Sequence, residues 1–145
     1  IVMDISQMSN LDLDEVFNIG REIKEFKIDE NFESFWNKEQ LQNWIKSKSD
    51  VLLVAKEKEK IVGFILIAVH NPTQKATIEN IWVHENYRKN GIANKLVAQG
   101  LNQLKEKNVK YICALAKVDN LVSIKFFEKN NFSKGYDFTW LHKKI

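Results

Sequence analysis

The chain has 145 residues, 44% hydrophobic and 11% aromatic, which is enough for one core, so a single domain over residues 1–145 is expected. Its longest apolar run, residues 61–69, falls far short of the roughly 20 that span a bilayer, no secretory pattern opens the chain, and the lone Cys113 excludes an internal disulfide; a soluble, cytoplasmic protein is expected. The net charge of +3 hides an asymmetry: residues 1–85 hold 10 Lys+Arg against 15 Asp+Glu, and residues 86–145 hold 12 against 4, so a basic second half follows an acidic first half.

In chain order, residues 1–5 suit a short strand, and the SNLDLDE stretch after them supplies helix-start residues. A helix over about 12–27 follows, with Leu13, Val16, Phe17, Ile19, Ile23 and Phe26 on its apolar face. A second helix over about 37–48 buries Leu41, Trp44 and Ile45. Residues 51–55 and 61–69 read as strands joined across a charged KEKEK turn, and Asn71-Pro72 marks the next loop.

A further strand ends near His84, where Ile78, Ile81, Trp82 and Val83 give way to the polar stretch 85–91. From Ile92 the apolar residues recur at helical spacing, with Leu96, Val97, Leu101 and Leu104. A strand over 111–117, a helix capped by Asp119 or Asn120 and running to about 129, and a last strand over 136–143 complete the order.

The turn between the fourth strand and its helix carries Arg88, Gly91 and Ala93, the pattern R-x-x-G-x-A. The first N–H groups of a helix have no intrahelical partners and lie at the positive end of its dipole, so they suit phosphate. Gly91 allows close approach, and Arg88 and Lys89 add positive charge. Neither the Walker A loop nor the Rossmann glycine pattern is present. There is no zinc-spaced Cys/His set, so no metal is expected.

This stretch resembles the GCN5-related N-acetyltransferase (GNAT) superfamily, whose acyl-CoA pyrophosphate turn has Arg or Gln, then Gly three residues on, then Gly or Ala two further. A second family pattern, N-x-x-A-x-x-x-Y-x-x-x-G-F, is paralleled downstream at the same spacing by Asn120, Ser123, Phe127, Asn131 and Phe132, with Phe127 and Asn131 as the departures that bear on the chemistry. The resemblance implies an α/β (α+β) acyl-CoA N-acyltransferase fold, a mixed, mostly antiparallel twisted sheet of six to seven strands flanked by about four helices. It implies acetyl-CoA as cosubstrate. Its pantetheine would lie along the backbone of Ile81, Trp82 and Val83, its pyrophosphate on Arg88, Lys89, Asn90, Gly91, Ile92 and Ala93, and Asn120 would contact the pantetheine or cap a helix.

The implied acceptor is a primary amine: a small cationic amine, a polyamine, or a peptide lysine or N-terminus. An amine with pKa near 10.4 is neutral only about once in 2,500 at pH 7, which costs about 4.6 kcal/mol without help. Glu79 is the candidate base, matching a glutamate of the polyamine-acetylating branch, and strand parity puts it on one face with Thr77, Ile81 and Val83. His84 is the alternative by residue type. Trp36, Trp44 and Trp140 are candidate walls for a cationic acceptor. Phe127 stands where many members have a tyrosine that assists the departing sulfur, which keeps open a non-catalytic acyl-CoA-binding module; the basic half keeps open RNA binding, the least favoured reading. Monomer and homodimer are both compatible with the resemblance.

Overall fold

A computed structural model describes residues 3–145. Two compact units divide the chain, Ile1–Ala114 and Leu115–Ile145. The first holds a five-stranded sheet in the order β1-β4-β5-β6-β7 and a separate two-stranded hairpin, β2-β3. The strands are β1 (Asp4–Gln7), β2 (Lys27–Asp29), β3 (Phe32–Glu33), β4 (Val51–Glu57), β5 (Lys60–His70), β6 (Lys75–Val83) and β7 (Tyr111–Ala114); the helices are α1 (Leu13–Glu22), α2 (Lys38–Ser47), α3 (Ile92–Glu106) and α4 (Leu121–Lys129). Every ladder is antiparallel except β6–β7, which is parallel. The expected class therefore holds, with seven strands and four α-helices among the described residues, but the strands divide five and two instead of forming one sheet.

β4 and β5 are buried on both faces, which explains their near-continuous apolar runs. On one face Leu52, Val54, Phe64 and Leu66 pack with Leu13 and Val16 of α1 and Leu41 of α2. On the other lies α3. Gly63 of β5 faces Leu96 and Ile92, and Gly100 of α3 faces Ile67, where an added Cβ would sit 2.9 Å from Ile67 Cδ1. These two glycines let helix and sheet approach closely.

Two element boundaries in the first half of the chain differ from expectation. The first strand read over 1–5 is found at Asp4–Gln7; residues 1 and 2 lie outside the described residues. The helix read over 12–27 ends at Glu22, because Ile23 turns to ψ 113° and a 3-10 turn, Lys24–Phe26, leads into β2. Ser34 then takes over the Phe26 carbonyl with its N–H and hydroxyl, while Ile23 and Phe26 still pack on the core. The spacing of Ile23 and Phe26 serves a 3-10 turn as well as an α-helix.

In the second unit α4 packs Phe127 against Phe126 and Phe132 at ring distances of 5.2 and 5.1 Å. The strand read over 136–143 is not formed: its alternating Tyr136, Phe138 and Trp140 have no ladder partner and stay exposed. β7 likewise stops at Ala114, short of 117. Among the described residues no helix is long and apolar enough to cross a membrane.

Candidate active site

β6 carries the centre of the candidate site. Its parallel ladder with β7 runs from Lys75↔Tyr111 to Ile78↔Ala114 and stops there, so residues 79–83 continue with a strand on the β5 side only. Peptide groups on that free edge are an extended hydrogen-bonding rail, and Ile81, Trp82 and Val83 lie on it.

The ladder also corrects the parity reading of Glu79. Leu66 faces Asn80 and Ile67 faces Ile78, so Glu79 is an extra residue, opposite none, at a β-bulge. Thr77 shares a face with Asn80 and Trp82, toward α2, whereas Ile78 shares a face with Ile81 and Val83, toward α3. Glu79 therefore does not belong to a continuous row with Thr77, Ile81 and Val83. No sequence period reveals a bulge, because the alternation on either side looks regular by itself.

No hydrogen bond or ion pair holds the Glu79 carboxylate among the described residues. Partial burial, then the charge of Asp50, push its pKa above the ordinary carboxylate range. The side chain keeps an exposed flank, so solvent tempers both effects. Asp50 is fixed by the Val69 N–H at 2.7 Å and by the indole N–H of Trp44. Asn80, one of two buried polar residues among those described, accepts the Trp36 indole N–H at 3.2 Å. Trp36 and Trp44 meet edge to face at 5.0 Å. Sequence reading named the two tryptophans as walls but missed Asn80 and Asp50; Trp140 lies in the second unit and is exposed. Trp36 also lines a cavity of about 400 Å³ with Phe17, Phe35, Arg21 and Lys27.

The turn after β6 is built as its glycine predicts. Gly91 occupies the N-cap of α3 at φ 77°, with nothing within 4 Å of where a Cβ would stand. No side chain caps the helix there. Lys89 is also left-handed, at φ 64°. Arg88, Lys89 and Asn90 are exposed, while Ile92 is buried as the first apolar anchor of α3 and Ala93 lies partly buried beside it. Arg88 donates its Nε to the Val83 carbonyl at 3.0 Å, tying the end of the rail to the turn. His84 is a turn residue: its Nδ1 accepts the Asn86 N–H at 3.1 Å and its ring stands edge-on to Trp82 and Tyr87.

In the second unit, Asn120 caps α4, its Oδ1 accepting the Ser123 N–H at 3.1 Å. Phe127 is buried there and carries no group able to protonate a leaving thiolate. Among the described residues no set of three His, Cys, Asp or Glu is placed to hold a metal.

A search of curated proteins finds no significant match. Solved structures do share the fold. A transcriptional regulator from Bacillus halodurans C-125 superimposes with a TM-score of 0.79 at 21% identity, over 98% of this chain and 100% of that one. The PaiA N-acetyltransferase of Thermoplasma acidophilum, solved with coenzyme A, gives 0.77 at 21%, over 90% and 89%. The ribosomal-protein-S18-alanine N-acetyltransferase of Escherichia coli gives 0.73 at 18%, over 93% and 80%. Residues 14–132 match the sequence model of the Acetyltransferase (GNAT) family, and with most of its length so matched the chain belongs to that family of acetyltransferases.

Proposed function

We propose that residues 1–145 act as one acetyl-CoA-dependent N-acetyltransferase that passes an acetyl group to a primary amine by direct attack on the thioester. The observation that carries this reading is the free β6 edge at residues 79–83 running straight into an uncapped helix start at Gly91. The backbone of Ile81, Trp82 and Val83 receives the pantetheine as a strand would be received. The turn and first N–H groups of α3, from Arg88 to Ala93, receive the pyrophosphate. Asn120 is assigned to the pantetheine on the family resemblance alone, its Oδ1 already serving the α4 cap.

Chemically, the ammonium first gives a proton to Glu79, directly or through water; the neutral nitrogen then bonds to the acyl carbon, the carbon–sulfur bond breaks, CoA leaves as thiolate, and the second proton shed by the nitrogen ends on that thiolate or on water. A carboxylate whose pKa is raised is a stronger base than an ordinary one, and this one has no competing cation. The leaving thiol, with a pKa of about 8.5, departs at neutral pH without a phenol at Phe127. Asp50, Glu79 and the Trp36–Trp44 pair favour a cationic acceptor, such as a small amine, polyamine or peptide lysine.

Calorimetric titration with acetyl-CoA tests the reading. The parent should bind in the micromolar range and Gly91→Glu, which puts bulk and negative charge into the turn, should not. No binding by folded parent protein would overturn it. A second reading, an acyl-CoA-binding module without turnover, is favoured by Phe127; CoA release on any of a panel of amines would remove it.

A further inference from the structure

The phosphate turn is conformationally expensive, since two of its residues, Lys89 and Gly91, are left-handed within three positions, and for a lysine that conformation costs about 1–2 kcal/mol. Something must hold it before a ligand arrives. Besides the Arg88–Val83 bond, three fixings are present. The His84 N–H donates to the Val62 carbonyl at 2.8 Å, hanging the start of the turn on β5. Asn90 Nδ2 donates to the Tyr87 carbonyl at 3.3 Å, closing the middle. The third crosses to a different strand: the Tyr87 hydroxyl donates to Glu57 at the end of β4, and the Tyr87 ring stands edge-on to His84 at 5.7 Å.

We infer that the Tyr87–Glu57 hydrogen bond is a positioning strut for the pyrophosphate turn, so that Tyr87 and Glu57 set cofactor affinity without touching the reacting atoms. The inference rests on the cofactor reading above. Glu57 is otherwise an ordinary end-of-strand carboxylate, with no cation paired to it among the described residues. Its hydrogen bond to the phenol raises the Tyr87 pKa above the ordinary range, because losing that proton would leave two anions facing each other. The His84 and Arg88 bonds tie the turn to β5 and β6, and the strut adds a tie from the middle of the turn to β4, which the Asn90–Tyr87 bond within the turn cannot supply. With the strut gone, a ligand must order the turn as it binds, and affinity falls by that ordering cost.

The test compares ligands with and without pyrophosphate. Tyr87→Phe keeps the ring and its packing, removing only the donor. Its Kd for CoA should rise about five- to tenfold, with kcat within about twofold of parent, and its Kd for pantetheine should not change. Glu57→Ala should match it, Glu57→Gln should retain most of the affinity because an acceptor oxygen remains, and the double variant Tyr87→Phe/Glu57→Ala should lose no more than either single one. Equal weakening of CoA and pantetheine, or unchanged CoA affinity in Tyr87→Phe, would overturn the strut. Failure of the parent itself to bind CoA would instead remove the cofactor reading, and the strut with it.

Discussion

Two neighbouring regions of the first unit treat their polar groups in opposite ways. Around α2 nearly everything is spent internally: Asn37 and Gln40 form a reciprocal capping box, Trp36 donates to Asn80, and Trp44 donates to Asp50. Along β6 and into α3 the groups are left open: among the described residues Glu79 has no hydrogen bond, the strand edge ends its pairing with β7 at Ile78, and the helix begins on a glycine with no side-chain cap. Of the four α-helices, α2 and α4 are entered through an asparagine cap and α1 through the Ser9–Asp12 capping box of the turn before it. α3 is the exception. An open helix start is tolerable in water but gains most when an anion arrives, so the proposed cofactor binding falls on the side whose groups are left open.

Glu79→Gln should have the largest effect, lowering kcat about 100-fold or more with CoA affinity retained. Because the folded state raises this carboxyl's pKa, ionising it works against folding. The stability associated with its protonated form is complete at acid pH and is lost as pH rises through the folded pKa. The glutamine variant should therefore melt at or above the parent temperature near neutral pH, an advantage that disappears in acid. In the parent, kcat/KM should climb as pH rises through the same raised value. Loss of activity with a lowered melting temperature at neutral pH would mean that Glu79 belongs with the internally spent groups.

Arg88→Ala should come next, weakening CoA about tenfold with kcat little changed. Arg88→Lys should recover only part of that, since a lysine cannot hold both the Val83 carbonyl and a phosphate in one planar fork. Smallest is Asn37→Ala, which should cost about 1 kcal/mol of stability, a fall in melting temperature of about 3 °C, and leave CoA affinity untouched. If Asn37→Ala instead altered CoA binding, the two regions would not be separable.

The opened region was the more legible of the two in the sequence. Arg88, Gly91 and Ala93 are read by residue type, and a glycine at a strand-to-helix turn announces its own left-handed conformation. The start of α3 at Ile92 and the cap at Asn120 follow from local chemistry in the same way. Long-range pairing was not legible. Trp36 and Asn80 meet across 44 residues, Tyr87 and Glu57 across 30, and nothing in a period of two or 3.6 encodes such partners. The alternation of Tyr136, Phe138 and Trp140 has the period of a strand, yet a strand exists only where a neighbour supplies the ladder. Parity failed at Glu79 for the same reason: the extra residue is defined by the strand opposite.

That bulge gives Glu79 an unusual status in the molecule. Ile78 already pairs with Ile67 and Asn80 with Leu66, so excising residue 79 would leave a regular ladder with every flanking partner and every face unchanged. Glu79 is thus an added letter in a frame that reads correctly without it. On the proposed reading, the base toward the acceptor sits on this added residue, while the strand on either side keeps its register with β5.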